Sequence, residues 1–526
     1  MHLYTLCFVT LQIFNNVHTA RILGLFPHPG KSHQMVFDPL LRKLAERGHQ
    51  LTVATFFPLE NPPKNYTEIN LQSLAELRLE TFSAEMYEFP SGLMRIPIIG
   101  SVVDQYNLHD ALGVLSVSIC EKLTRYQPLN KALLQEYDAV IVERFDSACV
   151  HGLLDVFGIK APVIGISSCA LMPGDAATMG AEVNPSFVPV VTSSFTHKMT
   201  FFERLENLAL LFVLKQKYRD VMSKEKAIIE RYYGKKINDL EGELRKISLL
   251  LVNTFFVGNG VYPLVPGIVE VGGIHINQKN DIIPTHIEKF VNASEHGVIL
   301  FSFGSQLSST SISKEKQNMF IRAFSKINER VLWKYSDSAD EGSLIAHNIM
   351  RVKWLPQNEL LKHPKIKAFI GHGGMLGSLE ATSAGKPMII IPVFADQKLN
   401  AAAIKEIGFA EVLSLANLNE QDLDRALKNV LSERMREKAR QVSTMWHDRE
   451  RPPMDTAVYW TERVIRWGNQ SPLYSEAKHL PFYEYALLDV AAFMLLFIIT
   501  ILAIFICIFN SLYLLVRNKT NKEKIH

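Results

Sequence analysis

The chain has 526 residues, which exceeds one ordinary domain and fits two large α/β domains with short appendages. Its 56 Lys and Arg residues nearly balance 53 Asp and Glu residues, and a net charge of +3 is too even for a nucleic-acid partner. Hydrophobic residues make up 48% of the chain and are concentrated at its two ends, which therefore need separate interpretation.

The amino-terminal segment, residues 1–20, has the pattern of a secretory signal peptide. An apolar stretch over residues 3–14 is followed by polar residues and a small Ala20. No Lys or Arg precedes the apolar stretch, so an uncleaved anchor or a first strand stays open as an alternative. The pattern predicts that the chain enters the secretory pathway.

The carboxyl-terminal segment has the pattern of a membrane anchor. Residues 490–509 are apolar and uncharged, long enough to cross a hydrocarbon core of about 30 Å, and we predict a transmembrane helix over residues 486–516. The following tail, residues 517–526, is basic, which predicts a cytosolic location, and its last lysines resemble a dilysine signal for return to the endoplasmic reticulum. We therefore expect a single-pass type I protein of the endoplasmic reticulum membrane whose body, between the two apolar ends, is lumenal.

Glycosylation signals and cysteines refine this picture. Sequons in the predicted lumenal part indicate a glycoprotein: Asn65, Asn292 and Asn469. Two of the five cysteines fall in the apolar ends. Three remain in the body, which is an odd number, and they lack the spacing of metal ligands: Cys120, Cys149 and Cys169. We predict neither a disulfide framework nor a metal site.

The first half of the body alternates strands and helices. A strand over residues 21–27 is followed by the polar loop HPGKSHQ and a helix over about residues 36–46, which Gly48 ends. A second strand, residues 51–57, completes a βαβ unit and thus a parallel sheet. We assign residues 21–260 to an amino-terminal domain.

The same alternation continues towards the middle of the chain. We predict a strand over residues 138–142, a helix over 149–157, a strand over 162–166 and a helical stretch over 195–232. Residues 261–284 are dense in Pro and Gly, the composition of an interdomain linker.

The second half repeats this pattern more clearly. Strands are predicted in the segments VILFSF, RVLWKY, KAFIG and MIIIPV, with helices between them, and a helical stretch over residues 433–467 closes this domain. We assign residues 285–485 to a carboxyl-terminal domain. In doubly wound sheets ligands bind beyond the carboxyl ends of the strands, so two such domains present their loops across one cleft.

The densest group of chemically informative residues forms three segments: WLPQNELLKHP, KAFIGHGGMLGSLEA and GKPMIIIPVFADQ. They resemble the signature of the UDP-glycosyltransferases, a GT-B-fold family that includes glucuronosyl- and glucosyltransferases of detoxification. The following residues stand at the signature's spacing: Trp354, Gln357, His372, Gly373, Gly374, Glu380, Pro387, Pro392, Asp396 and Gln397. The resemblance extends over the whole chain and implies two facing Rossmann-like domains and a carboxyl-terminal UDP-sugar-binding domain.

The chemistry of these residues fits a nucleotide sugar. Trp354 offers an aromatic face on which uracil can stack, and Gln357 offers an amide for a base edge or a ribose hydroxyl; a core Trp is the plain alternative. His372 and Gly374 lie between a strand and a helix, where backbone N–H groups and the helix dipole attract a pyrophosphate, and Gly377 follows in the same turn. A dinucleotide oxidoreductase is disfavoured, because Leu376 breaks the G-x-G-x-x-G spacing.

The resemblance itself assigns further roles. It implies that His372 contacts the pyrophosphate, that Glu380 holds ribose hydroxyls, and that Asp396 and Gln397 bind sugar hydroxyls. Ser305 resembles a phosphate-side contact, with an ordinary turn serine as the alternative. UDP-sugar is then a co-substrate, and neither a cofactor nor a metal is expected.

The resemblance places the general base at His33 in the HPGKSHQ loop, next to His28. A hydroxyl acceptor needs a base to remove its proton, and a neutral imidazole suits that role near neutral pH. The family's acid partner is usually an Asp, but the matching position here is Glu143, which is predicted to come first after the strand. Asp146 is the rival partner, and a solvated loop charge is the alternative for both.

The implied reaction is a direct displacement that inverts the anomeric centre. Vertebrate glucuronosyl members generally carry an Arg where this chain has Asn253, so UDP-glucose is the favoured donor and UDP-glucuronate the alternative. The acceptor is expected to be a small lipophilic hydroxyl compound, bound by apolar residues within 84–120 and 170–200. A decayed glycan-binding membrane protein and a homo-oligomer stay open.

Overall fold

The structure is a computed structural model that describes residues 19–90, 92–145, 148–172, 174–181, 183–276, 281–335, 342 and 344–523. The predicted signal segment up to position 18, Asp146 and the last three residues of the basic tail lie outside the described residues. The described residues up to 474 form one compact unit, and those from 475 onwards form a second one.

The first domain is built on a parallel sheet of seven strands in the order β3-β2-β1-β4-β5-β6-β7. Its strands are β1 Arg21–Phe26, β2 Gln50–Thr55, β3 Tyr66–Asn70, β4 Ala139–Glu143, β5 Val163–Ser167, β6 Ile247–Val252 and β7 Ile268–Glu270. Its helices are α1 Lys31–Glu46, α2 Glu85–Glu88, α3 Ile99–Arg125, α4 Gln127–Leu133, α5 Ala148–Val156, α6 Asp175–Thr178, α7 Phe201–Tyr233, α8 Leu240–Leu244 and α9 Phe256–Asn259.

The second domain repeats this plan with strand order β10-β11-β9-β8-β12-β13-β14, in which only β10 is antiparallel to its neighbour. Its strands are β8 Val298–Ser302, β9 Arg330–Lys334, β10 Leu344–Ala346, β11 Ile349–Val352, β12 Ile366–Gly371, β13 Met388–Ile390 and β14 Ala410–Val412. The helices are α10 Thr285–Asn292, α11 Lys314–Ser325, α12 Gln357–Lys362, α13 Met375–Ser383, α14 Gln397–Ile407, α15 Glu420–Val430, α16 Glu433–His447 and α17 Pro453–Trp467.

Each sheet reverses its strand order once, and this reversal positions the site. In the first sheet the reversal lies between β1 and β4, and in the second between β8 and β12. At such a switch point the two following loops diverge to opposite faces of the sheet and leave a crevice at the carboxyl ends of the strands. Both predicted doubly wound domains are confirmed, and their crevices are where the site residues are found.

Helix α1 starts earlier than the sequence predicted. It begins at Lys31, directly after Gly30 in extended conformation, so that His33 lies in its first turn and not in a loop. The apolar residues that mark its periodicity begin only at Val36, which packs with Phe37 in the core of the first sheet. The first turn is polar because it faces the cleft. It therefore lacks the apolar periodicity from which the start of the helix was predicted.

Two boundary expectations were wrong. The predicted linker, residues 261–284, contains β7, a strand of the first sheet. Helix α17, which was expected to close the second domain, instead buries Met454, Ala457 and Val458 in the core around the first sheet. Its apolar stripe fits any sheet face, so periodicity alone could not show which sheet it covers.

The prediction of no disulfide framework was also wrong. Cys120 on α3 is bonded to Cys149 on α5, and both side chains are buried. The two positions are 29 residues apart along the chain, so only the fold brings them together. Cys169 keeps a free thiol.

Residues 475–526 contain the helices α18, Phe482–Tyr485, and α19, Leu488–Glu523. Within α19, the span Leu488–Asn518 contains an 18-residue window with a mean hydropathy of 3.2, and this is the one described helix that is long and apolar enough to cross a membrane. At 1.5 Å per residue, 31 residues span about 46 Å, more than a hydrocarbon core of about 30 Å.

Candidate active site

The centre of the candidate site is an imidazole–carboxylate pair. His33 comes from the first turn of α1 and Glu143 is the last residue of β4, so the pair straddles the switch point of the first sheet. His33 Nδ1 lies 2.6 Å from Glu143 Oε1, and the two side chains are 14% and 1% exposed. Because a carboxylate accepts, Nδ1 carries the hydrogen and Nε2 of the neutral ring keeps its lone pair.

Two aromatic rings hold this imidazole in place. His28 stacks on His33 with ring centroids 4.3 Å apart, and Phe145 meets it edge-on at 5.0 Å. Burial, together with His33 and Arg78, lowers the pKa of His28 well below its ordinary value, so His28 stays uncharged. Burial raises the pKa of the Glu143 carboxyl, and the hydrogen bond from His33 opposes that shift.

The second domain contributes two glycine-containing turns at its own switch point. Gly304 and Ser305 follow β8, and His372, Gly373 and Gly374 lie between β12 and α13. Gly304 and Gly373 have φ values of 76° and 83°, which favour glycine. A Cβ on Gly304 would come within 2.5 Å of His372 Cε1, so the two turns are tightly packed. The turns present backbone N–H groups and a helix start to the cleft.

Lys334 is a site residue that sequence reasoning missed. It ends β9, donates from Nζ to Gly304 O at 2.7 Å and pairs with Glu80 Oε1 at 2.9 Å. Burial, with Lys334 as the second cause, lowers the pKa of His372 to about 4, so this imidazole is neutral near pH 7. A lysine directly after the buried segment VLW, at the carboxyl end of a strand, was the available signal.

A hydrogen-bonded group of side chains lies beside these turns. Gln357, the first residue of α12, donates from Nε2 to Glu380 Oε2 at 2.7 Å. His275 Nε2 lies 3.4 Å from Glu380 Oε1, and Gly377 leaves room for the Gln357 amide. Glu380 is 5% exposed but still lines the cavity. Gln357 and Glu380 therefore act on a ligand as one unit.

The Asp396–Gln397 pair lies where β13 leads into α14. Gln397 is buried, and its Oε1 accepts from the N–H groups of Val393 and Phe394 at 2.8 and 3.1 Å, which fixes the loop. Asp396 lines the cavity; burial raises the pKa of its carboxyl, and the nearby His33 of the first domain opposes this shift. The carboxylate of one domain thus lies close to the imidazole of the other.

One cavity joins the two domains and encloses about 1820 Å³ of empty space, part of it open to solvent. Most of the predicted site residues line it: His33, Ser305, Trp354, Gln357, His372, Gly374, Gly377, Glu380, Asp396 and Gln397. Trp354 is 56% exposed, as a stacking platform requires and a core Trp would not be.

Glu143 and Asn253 are two predicted positions that are not among the residues lining the cavity. Glu143 lies behind His33, and the rival partner Asp146 lies outside the described residues. Asn253 is fully buried, and its amide bonds to Ser168 O at 2.9 Å and to Gly273 N at 3.2 Å. Its side chain therefore braces the first domain, and its lack of charge says little about the donor sugar in this chain.

Comparison with known proteins agrees with this geometry. A family model described as UDP-glucoronosyl and UDP-glucosyl transferase matches residues 25–524. The chain belongs to the UDP-glycosyltransferase family. Among its relatives, UDP-glycosyltransferase UGT5 of Dactylopius coccus is 36% identical, covering 94% of this chain and 93% of the relative. UDP-glucuronosyltransferase 2B30 of Macaca fascicularis is 30% identical, covering 94% of each.

Solved structures show the same fold. The glycotransferase of kitacinnamycin has a TM-score of 0.55 at 18% identity, covering 85% of this chain and 99% of the other. UDP-glucose: anthocyanidin 3-O-glucosyltransferase, solved with UDP, has a TM-score of 0.54 at 15% identity, covering 85% and 98%. The predicted GT-B fold is confirmed, and this UDP-glycosyltransferase is an enzyme that transfers a sugar from a UDP-sugar.

Proposed function

We propose that this UDP-glycosyltransferase moves a hexose, with UDP-glucose favoured, onto a hydroxyl of a small lipophilic acceptor with inversion. The observation that carries the proposal is the His33–Glu143 contact at 2.6 Å in a cavity whose other wall holds the glycine turns of the second domain. A base and an anion-binding helix start face the same space, which is the arrangement that a direct displacement requires.

The proton and bond changes follow from this geometry. The acceptor hydroxyl gives its proton to His33 Nε2 while its oxygen bonds to the anomeric carbon, and the bond from that carbon to the diphosphate breaks with its electrons leaving on UDP. Glu143 holds the ring through Nδ1 and stabilises the imidazolium that forms. Asp396 is placed to accept hydrogen bonds from sugar hydroxyls.

The diphosphate fits the turns at residues 304–305 and 372–374. The start of α13 supplies N–H groups and a positive dipole end, and Lys334 supplies a cation next to Gly304. His372 is neutral, so it contributes a hydrogen bond and not a charge. Trp354 and the Gln357–Glu380 unit would then take the uracil and the ribose.

The donor sugar has two candidates. UDP-glucose is supported by a relative named UDP-glucosyltransferase 2, from Dactylopius coccus, which is 34% identical over 90% of each chain. The Lys334 charge is already balanced by Glu80, and Asp396 would repel a sugar carboxylate. UDP-glucuronate is supported by relatives named UDP-glucuronosyltransferases, such as 2B30 of Macaca fascicularis at 30% identity, and by Arg78, which also lines the cavity.

The proposed location is the endoplasmic reticulum membrane. Helix α19 supports a single span, and the basic residues after it, together with the buried Cys120–Cys149 disulfide, support a lumenal body and a cytosolic tail. Protease treatment of sealed microsomes tests this: only the tail should be cut. If the protease instead degraded residues 21–485 in sealed microsomes, the protein would have the opposite orientation.

The test of the proposed reaction uses membranes that carry the full chain. Each of several UDP-sugars is supplied with a simple phenol, and UDP release and the anomeric configuration of the product are measured. We expect release with UDP-glucose and a β-linked product from the α-linked donor. Faster release with UDP-glucuronate would change the donor, and retention of configuration would overturn the single-displacement mechanism.

A further inference from the structure

The part of the cavity that belongs to the first domain is mostly apolar, as expected for a lipophilic acceptor, and it includes Leu108, Leu112, Met172 and Val191. Polar side chains interrupt this lining, among them Ser32, Arg78 and Ser168. Two others are His109 on α3 and Thr192 in the loop before α7. Neither belongs to the donor-binding turns or to the His33–Glu143 pair, so the reaction described above does not use them.

The imidazole of His109 has a defined hydrogen-bonding state. Its Nδ1 lies 2.9 Å from the carbonyl oxygen of Gln105, one turn earlier on α3. A carbonyl only accepts, so Nδ1 carries the hydrogen. Burial lowers the pKa of His109, which keeps the ring neutral. Its Nε2, for which the described part of the chain shows no partner, is therefore a fixed acceptor at the cavity wall.

Thr192 gives an independent second observation. Its side chain is 5% exposed, and its Oγ1 is buried without a hydrogen-bond partner among the described residues. A buried hydroxyl that lacks a partner destabilises the fold, so such groups are normally satisfied. Since Thr192 lines the cavity, a ligand or ordered solvent there can satisfy it.

The position of His109 sets where a second polar group would lie. Leu112, one turn further along α3, lies with His28 and Phe145 around a small neighbouring cavity. Those two rings pack directly on the His33 imidazole. His109 is thus about 4.5 Å further along the helix from the residue that borders the catalytic rings. An acceptor that reaches both ends needs an apolar body between its two polar groups.

We propose that His109 and Thr192 bind a second polar group of the acceptor, distal to the hydroxyl that receives the sugar. The acceptors of this site are then lipophilic phenols or alcohols that carry a further hydrogen-bond donor on the far side of an apolar ring system. This inference rests on the proposed function, because it assumes that the same cavity binds a hydroxyl acceptor.

The test compares matched acceptors that differ only at the distal position: para-benzylphenol, its distal methoxy derivative and its distal hydroxy derivative. The value of kcat/KM for the dihydroxy compound is halved to allow for its two equivalent hydroxyls. For the wild-type protein we expect the hydroxy compound to exceed both others by roughly 3- to 10-fold, the range of one net hydrogen bond. The methoxy compound is similar in size and polarity but cannot donate a hydrogen bond, so it shows whether hydrogen-bond donation causes the preference.

The variants His109→Phe and Thr192→Val remove the polar atoms, and His109→Gln restores an acceptor. We expect the preference to fall to about one in His109→Phe, to return in part in His109→Gln and to decrease in Thr192→Val. Asn107→Ala, exposed on the same helix, is the matched control and should keep the full preference.

The outcomes separate the two levels of the proposal. The second-contact proposal is overturned if wild-type protein shows no preference for the hydroxy compound, or if the preference is unchanged in both His109→Phe and Thr192→Val. In either case, transfer to para-benzylphenol still supports the proposed function. If wild-type protein transfers no sugar to any phenol or alcohol, the proposed acceptor class is wrong and the inference falls with it. Thr192→Val and His109→Gln keep the test decisive if His109→Phe does not fold.

Discussion

The two walls of the cleft are built by different means, although both lie at the switch point of a similar sheet. The wall of the first domain uses side chains: a buried carboxylate, two stacked imidazoles and apolar residues. The wall of the second adds backbone to its side chains, with glycines at positions 304, 373, 374 and 377 that bring N–H groups to the surface. In the proposed function, the side chains of the first wall serve proton transfer, and the backbone dipoles of the second wall bind the diphosphate that every UDP-sugar carries.

This contrast predicts that substitutions in the two walls affect different measured quantities. Changes in the first wall should reduce the rate of transfer without weakening UDP binding. Changes in the second should weaken UDP binding itself. The predictions below test that separation in order of expected size.

Among the changes that leave the base in place, the largest effect is expected for Glu143→Gln. The variant keeps shape but removes the charge that orients His33 and stabilises its imidazolium, so transfer should slow by about 10²–10⁴-fold with UDP affinity unchanged. Transfer rate and UDP affinity are measured side by side for Glu143→Gln and Asp146→Asn, after both are shown to fold. Loss of turnover only in Asp146→Asn would assign the partner role to Asp146.

A smaller effect is expected for His372→Ala in the second wall. The imidazole packs between Gly304 and Gly374, and its removal loosens the turn and takes away a hydrogen bond. We expect UDP affinity to fall about tenfold, as the loss of about 1.4 kcal/mol implies. His363→Ala, in the same domain but away from the cavity, is the control in the same titration. Unchanged UDP affinity in His372→Ala would remove this residue from the donor site.

Acid stability gives a test of the packing behind the first wall. Burial lowers the pKa of His151 to about 3, and its Nε2 accepts from Arg144 at 3.1 Å. The unfolded chain, with a pKa near 6.5, binds the proton first, so the stability from neutral His151 is present above pH 6.5 and is lost as pH falls towards 3.

Wild-type protein should therefore lose about 2 kcal/mol more than His151→Gln between pH 7 and pH 5. Glutamine keeps an acceptor for Arg144, and its effect on packing does not depend on pH. Denaturant unfolding in detergent at the two pH values measures the difference. Equal losses in both proteins would show that His151 is already charged, or accessible, in the folded state.

The smallest effect on catalysis is expected from removing residues 486–526. All of the cavity residues precede position 398, so the released protein should keep its transfer rate and UDP affinity. Fractionation after a salt wash shows whether the truncated chain leaves the membrane. A folded but still membrane-bound product, with a cleaved amino terminus, would mean that α19 is not the main anchor.

The sequence predicted the fold, and it predicted which residues of the second domain line the cavity, because both rest on local patterns. Strand–turn–helix segments with glycine at the turn specify where backbone N–H groups point, and the positions from Trp354 to Gln397 are close together along the chain. His33 was also located, although in a helical turn and not a loop.

The parts that were missed depend on long-range packing. Lys334, the Cys120–Cys149 disulfide and the path of α17 back to the first sheet each join positions that no local pattern links. Asn253 shows the same limit. The resemblance linked this position to the donor sugar, but its side chain is buried and hydrogen-bonds to the backbone of the first domain. Burial and side-chain direction come only from the assembled fold.

The most direct test of the division between the walls is His33→Ala, measured for both transfer and UDP binding. Loss of the base should abolish detectable transfer, whereas the dissociation constant of UDP should stay within about twofold of wild type, since the donor turns belong to the other domain. The two walls would not be separable if UDP binding weakened in parallel with transfer. Full transfer activity in His33→Ala would show that another group removes the acceptor proton.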